Sequence, residues 1–147
     1  MIEREELLAL IPHRNSMMLL SRVINYDLKE KNIEAEYDIS QDCIFYDQQK
    51  KGVPSWVGFE FIAQAISAYI GIKCRENNLP VNEGFILSVS HMHLDIPFFK
   101  NKGIITIKSR ELDNVDAMYI FNGEILQDGK EVISARLTVM EVMEKEK

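Results

Sequence analysis

Between Trp56 and Ile72 an almost continuous apolar run is interrupted by Glu60, Gln64 and Ser67, with Tyr69 counted among the aromatics. Spacings of four and three place the three within about 60° of one another on a helix that advances ~100° per residue. A carboxylate among apolar neighbours is costly unless it is paired or its pKa rises towards neutrality, and such sites often carry function. Two readings fit this polar line: the solvated edge of a helix, or an acid/base site. A solvated edge usually carries several charges, whereas Glu60 is the one charge before Lys73. Ahead of it, Val57 and Gly58 stand where a helix would start and its orphan backbone N–H groups could bind a carbonyl oxygen or a developing oxyanion. Gly58 adds room for a ligand to approach. A cradle of that kind beside an acid/base group suits proton transfer next to a thioester carbonyl.

These residues need an element to hold them. Ser55 is a good N-cap, no proline intervenes from Trp56 to about Arg75, and Glu76-Asn77-Asn78-Leu79-Pro80 is a stop signal. The spacing predicts one helix of roughly 20 residues, apolar nearly all round, which belongs in a core. A short helix is expected over 3–10, ended by Pro12. Strands are expected at Met17–Leu28 and Asn32–Ile39, joined by the polar turn Lys29-Glu30-Lys31-Asn32, and again at Phe85–Leu94, Ile104–Leu112, Met118–Gln127 and Glu131–Val142. Asp128-Gly129 is a strong hairpin signal. Two strands, one helix and four strands do not make the alternation of a parallel sheet. The expected class is α+β, a single domain over 1–147: a hotdog fold, with a curved antiparallel sheet wrapped around one long central helix.

Bulk properties narrow the function. The chain has 147 residues, 46% hydrophobic and 27% charged, and a net charge of −6. It is one domain long, and its acidic balance lacks the basic footprint of a nucleic-acid binder. The N-terminus lacks the pattern of a signal peptide, and no purely apolar run reaches the ~20 residues of a membrane span, so the cytoplasm is the expected compartment. Cys43 and Cys74 have no metal-ligand spacing and read as small apolar side chains. His91 and His93 lie two apart, on one face of a predicted strand; without a third ligand they do not make a metal site. Trp56 either walls a ligand tunnel or joins the core.

At the helix start the sequence resembles a known family. Pro54-Ser55-Trp56-Val57-Gly58-Phe59-Glu60-Phe61-Ile62-Ala63-Gln64-Ala65 is similar to the Pro-Gly-Val-x-x-x-Glu-Ala-x-Ala-Gln-Ala segment of β-hydroxyacyl-acyl carrier protein dehydratases. Ile11-Pro12-His13-Arg14-Asn15-Ser16-Met17-Met18-Leu19-Leu20-Ser21-Arg22-Val23 resembles their Leu-Pro-His-Arg-Tyr-Pro-Phe-Leu-Leu-Val-Asp-Arg-Val opening. The pattern looks closest to a branch of predicted dehydratases encoded with aryl-polyene and related lipid gene clusters. The resemblance implies a hotdog dimer, or a heterodimer with another hotdog protein, acting in fatty acid or polyene biosynthesis on an acyl thioester of acyl carrier protein or coenzyme A. No cofactor is implied, because the substrate brings its own phosphopantetheine. Glu60 matches the catalytic glutamate and Gln64 the glutamine after it, with Val57, Gly58 and Trp56 beside the substrate. His13 falls where the family has a non-catalytic histidine.

The family's second catalytic group, a histidine in a Gly-His-Phe-Pro loop, has no counterpart. The loop here is Cys43-Ile44-Phe45-Tyr46-Asp47-Gln48-Gln49-Lys50-Lys51-Gly52-Val53, whose polar candidates Tyr46 and Asp47 do not replace an imidazole base near pH 7. Lys50 and Lys51 are candidates for docking an acidic carrier protein. Three readings remain open: a dehydratase with Glu60 as acid/base, a non-catalytic or half-catalytic partner of a histidine-bearing homologue, and a thioesterase in which Glu60 or Asp47 activates water.

Overall fold

The computed structural model describes residues 1–11, 17–80 and 84–141. The elements, in chain order, are β1 (Ile2–Glu3), α1 (Arg4–Leu7), β2 (Arg22–Asp27), β3 (Asn32–Asp38), β4 (Gly52–Pro54), a 3-10 turn (Ser55–Val57), α2 (Gly58–Glu76), β5 (Gly84–Leu94), β6 (Phe98–Lys100), β7 (Ile104–Val115), β8 (Met118–Gln127) and β9 (Lys130–Glu141). One seven-stranded antiparallel sheet has the order β1-β2-β3-β7-β8-β9-β5, and β4 pairs with β6 apart from it. The expected hotdog arrangement is what forms.

Strand alternation explains how the sheet receives the helix. Ile33, Ala35 and Tyr37 on β3, Ile105 and Ile107 on β7, Tyr119, Phe121 and Ile125 on β8, and Ile133, Ala135, Leu137 and Val139 on β9 are all buried. Along each strand they stand two or four apart, the signature of one packed face. Against that face α2 buries Phe61, Ile62, Ala65, Ile66, Tyr69 and Ile72. The Phe61 ring meets Tyr37 at 5.1 Å and Phe99 at 5.9 Å between centroids, and Tyr69 meets Phe121 at 5.7 Å. Each fully buried ring contributes on the order of 2–3 kcal/mol of burial. By length and composition alone Ser55–Glu76 could cross a bilayer, which corrects the reading of the runs by strict apolarity; here 72% of that window is buried by the protein itself.

Several local expectations shift. The strand expected from Met17 starts only at Arg22, because the chain before it is held to α2 by a side chain described below. Ile2 and Glu3 pair with Val23 and Arg22 as a short strand, leaving the expected N-terminal helix only Arg4–Leu7. Ser55 does not cap α2. Its hydroxyl donates to the Ile96 carbonyl and its N–H to that of Pro97, and no side chain caps the helix. The β8–β9 turn forms as expected, with Asp128 at φ 56° and Gly129 at φ 76°. Pro12 and His13 lie outside the described residues.

β5 ends the sheet. Among the described residues no further strand pairs with it, and its sequence Gly-Phe-Ile-Leu-Ser-Val-Ser-His-Met-His-Leu carries no Asp, Glu, Lys, Arg or Pro. Phe85, Leu87, Val89 and Leu94 are exposed. A long uncharged edge is a ready template for another strand. A bulge falls between Ser90 and His93, with His91 at φ 50°, so the simple two-residue alternation expected for His91 and His93 is broken. Both are exposed and line a surface hollow of about 250 Å³ with Glu124, Glu131 and Arg136. Burial, then neighbouring Glu124, raises the Glu131 carboxyl above its ordinary pKa.

Candidate active site

The polar line on α2 divides into groups with different surroundings. Gln64 is fully buried. Its Oε1 accepts the Leu19 N–H at 2.7 Å, and its Nε2 donates to the Met17 carbonyl at 2.8 Å and to Glu60 Oε1 at 3.1 Å. One side chain therefore fastens the Met17–Leu19 segment to the helix and steadies the carboxylate one turn earlier. Gly71 serves the same side: a Cβ there would lie 2.2 Å from the Leu10 carbonyl oxygen. The line is thus not a solvated edge along its length, since part of it lies under the chain's own N-terminal strap. Gln64, expected beside the substrate, has its amide engaged with protein groups.

Glu60 is half-buried, in the first turn of α2, where a carboxylate is favoured by the positive end of the helix dipole. Glu60, Ala63, Ser67, Ile70 and Cys74 follow at spacings of three and four, so they share one flank. Glu60, Ala63 and Ser67 are half-buried, and Ile70 and Cys74 keep 7% and 8% exposure on a helix whose sheet-facing residues have essentially none. This open flank was missed at the level of sequence, although Ala63 and Ser67, small residues three and seven positions after Glu60, were there to be read.

The helix start differs from the expected oxyanion cradle. The 3-10 turn already uses the Gly58 N–H, which donates to the Ser55 carbonyl. The space left by the missing Gly58 side chain is filled from the sheet, since a Cβ there would meet Ile133 Cδ1 at 2.7 Å and Ile125 Cδ1 at 3.2 Å. Gly58 thus brings helix and sheet together. Val57 is buried. Trp56 is not in the core: it is 55% exposed, with its ring edge-on to Phe45 at 6.4 Å between centroids.

The loop before the helix is tighter than expected. Asp47 and Gly52 form a β-bridge, and Asp47 Oδ1 accepts the N–H groups of Gln49 and Lys50 at 2.9 and 3.0 Å. That is the geometry of a side chain closing its own turn, with Lys51 at φ 54° completing it. Tyr46 is half-buried, packed against the core. Lys50 and Lys51 are exposed at the turn's tip, and β4 carries the chain from there into the helix start. Among the described residues no group of three His, Cys, Asp or Glu could hold a metal ion.

Comparison with known proteins agrees with this architecture. A chain of the structure described as the dehydratase heterocomplex ApeI:P from Xenorhabdus doucetiae superposes with a TM-score of 0.87 at 24% identity, over 94% of this chain and 91% of that one. A hypothetical thioesterase from Streptococcus pneumoniae, solved with coenzyme A, superposes with a TM-score of 0.63 at 12% identity, over 85% and 88% of the two chains. These likenesses establish the fold. In sequence, the chain is 32% identical over 74 residues to the 3-hydroxyacyl-acyl-carrier-protein dehydratase FabZ of Chlamydia caviae and 31% identical to that of Chlamydia pneumoniae. The chain spans about half the length of these curated relatives, 48% of each. Residues 5–147 match the family model described as ApeP-like, ApeP dehydratase. With that match over nearly its whole length and a hotdog sheet around α2, the chain belongs to the ApeP-like dehydratase family.

Proposed function

We propose that this protein is the glutamate-bearing half of a two-chain cytoplasmic dehydratase for 3-hydroxyacyl thioesters carried on acyl carrier protein. The observation that carries the reading is Glu60, half-exposed on an open flank of α2 and held by Gln64. The flank and the β5 edge leave the site without one wall, and a second hotdog chain laid against them would supply it. Similarity in fold to a chain of the ApeI:P heterocomplex supports a partner of that kind.

The reaction needs two proton transfers. A base on the partner, a histidine in a loop like the one this chain lacks, removes a proton from C2 of the acyl chain. The electrons of that bond form the C2–C3 double bond as the C3–O bond breaks. Glu60 supplies the proton that the departing hydroxyl takes up, and that group leaves as water. Positioned acid/base groups of this sort contribute ~10²–10⁴-fold in rate. The phosphopantetheine arm arrives on the substrate, and Lys50 and Lys51 at the exposed turn attract the acidic carrier protein at long range.

Mass spectrometry of 3-hydroxyacyl carrier protein tests this directly. The expected result is the dehydrated enoyl product when this chain is mixed with a histidine-bearing hotdog homologue, and little product from either alone. Free acid released by this chain alone, or no product from the mixture, would overturn the proposal.

A further inference from the structure

The outer face of the sheet, turned away from α2, changes character along its strands. Phe85 of β5 pairs with Met140 of β9, Met140 with Met118 of β8, and Met118 with Val115 of β7. Residues directly opposite on antiparallel strands share a face, so these four make one row across four strands. All are exposed, Phe85 by 56%, Met140 by 39%, Met118 by 37% and Val115 by 58%. Their chain neighbours Ile86, Val139 and Tyr119 point the other way, into the core, where Tyr119 lines a hollow beyond Cys74. The next outward row is Ser88, Thr138, Ile120 and Asp113, and after it come Ser90, Arg136, Asn122 and Arg110. The face thus runs from wholly apolar to charged within three rows. A single exposed Met or Phe is ordinary, but four side by side form a patch that marks an interface.

The pattern of the rows indicates the occupant. Read from either end, the first row is an apolar side chain, two methionines and an apolar side chain. A half-turn about an axis parallel to the strands, between β8 and β9, lays Met118 of one copy over Met140 of the other and Val115 over Phe85. The same half-turn brings each charge of the next two rows to a neutral hydrogen-bonding group: Asp113 over Ser88, Arg136 over Asn122, Arg110 over Ser90. In these rows no charge meets its like. A two-fold interface needs this self-complementarity, and the half-turn keeps the strands of the two sheets roughly aligned, as in packed sheets generally. The contact is normal to the sheet, so it leaves the in-plane edge of β5 free for another chain.

We infer that this row is the contact by which a second copy of this chain packs back to back on the first, sheet against sheet. The inference is independent of the dehydratase reading. Four side chains take less than the ~800 Å² that a standard interface buries on each partner, so the association is weak and depends on concentration.

Cross-linking at about 100 µM, a concentration suited to weak contacts, tests the geometry. One preparation carries Phe85→Cys and another Val115→Cys, both at exposed positions that tolerate the change. In the mixture, a bismaleimide that spans the ~10 Å between packed sheets should join one chain of each kind. Two copies of the same variant hold their thiols three strand spacings apart sideways, ~14 Å, and should cross-link little. The unaltered chain controls for Cys43 and Cys74, both buried. Adding Met118→Glu and Met140→Glu to both preparations sets acid over acid at the centre of the row. Cross-linking should then fall roughly tenfold or more, since like charges in contact are strongly disfavoured, while an unchanged denaturation midpoint shows that the fold holds. A mixture that does not cross-link, the result if a membrane or a different protein occupies the row, overturns the inference. Cross-linking as fast within one variant as between the two, or unaffected by the glutamates, overturns it as well.

Discussion

Two sides of one helix contrast sharply. On the strap side of α2, Gln64 and Gly71 are buried, with every contact made by the chain itself: Leu19, Met17 and Glu60 around the amide, the Leu10 backbone against the glycine. On the open flank, Glu60, Ala63 and Ser67 remain half-buried. The polar residues are neighbours on the helix, yet their energetics differ. A buried amide with its hydrogen bonds made contributes to stability, and removing it leaves the partner groups unpaired. A half-exposed carboxylate contributes little to folding and stays available for proton transfer. Substitutions on the strap side should therefore cost stability, and substitutions on the flank should cost chemistry.

The largest effect expected is on Glu60. Glu60→Gln keeps size and polarity but cannot exchange a proton, so turnover by the assembly should fall ~10²–10⁴-fold, with the denaturation midpoint of the chain unchanged. Full turnover with Gln at this position would erase the contrast. Gln64→Leu comes next. It leaves the Leu19 N–H and the Met17 carbonyl without their partner, at about 1–3 kcal/mol for each group that stays buried. Urea denaturation should show the loss, and an unchanged midpoint would mean that the strap is held by other contacts. Gly71→Ala should cost about 1–3 kcal/mol by overpacking, because its Cβ would press on the Leu10 backbone rather than on a side chain able to turn away.

The smallest effect sharpens the comparison from the helix's third side, which faces the sheet. The Tyr69 hydroxyl is buried with no hydrogen-bond partner among the described residues. Tyr69→Phe should leave stability at pH 7 unchanged or raise it by up to ~1 kcal/mol. Burial, with Glu111 and Tyr119 adding to it, pushes the Tyr69 phenol up to about 12. A folded pKa above the unfolded value of ~10 means that this contribution to stability is complete below pH ~10 and is lost as pH rises towards 12. The Phe variant lacks that loss, so comparing midpoints at pH 7 and in strong alkali checks the sign.

The fold was legible in the sequence wherever its signals were local. The helix after Pro54, the strands over Asn32–Asp38 and Lys130–Glu141, and the Asp128-Gly129 turn all formed where the patterns of the sequence put them, since periodicity and turn chemistry act over a few residues. The strand expected from Met17 was cut short because its first residues are claimed by Gln64, 47 positions away from Met17. At short range, Asp47, a candidate acid by sequence, uses Oδ1 of its carboxylate to close the turn that contains it.

By itself the sequence determined the order of elements, the burial of most of α2, the polar line with Glu60 at its head, and the family, because these are written in spacing and residue type along the chain. Only the tertiary structure decided which side of that line is closed. It set Leu10 against Gly71, Leu19 against Gln64 and Ile133 against Gly58, and it used the Gly58 N–H in the turn that starts the helix. Among the described residues it also left the flank, the β5 edge and the hollow beyond Cys74 open. Apart from that turn, these outcomes depend on groups far apart in the chain meeting at van der Waals or hydrogen-bonding distance, which no short stretch of sequence specifies.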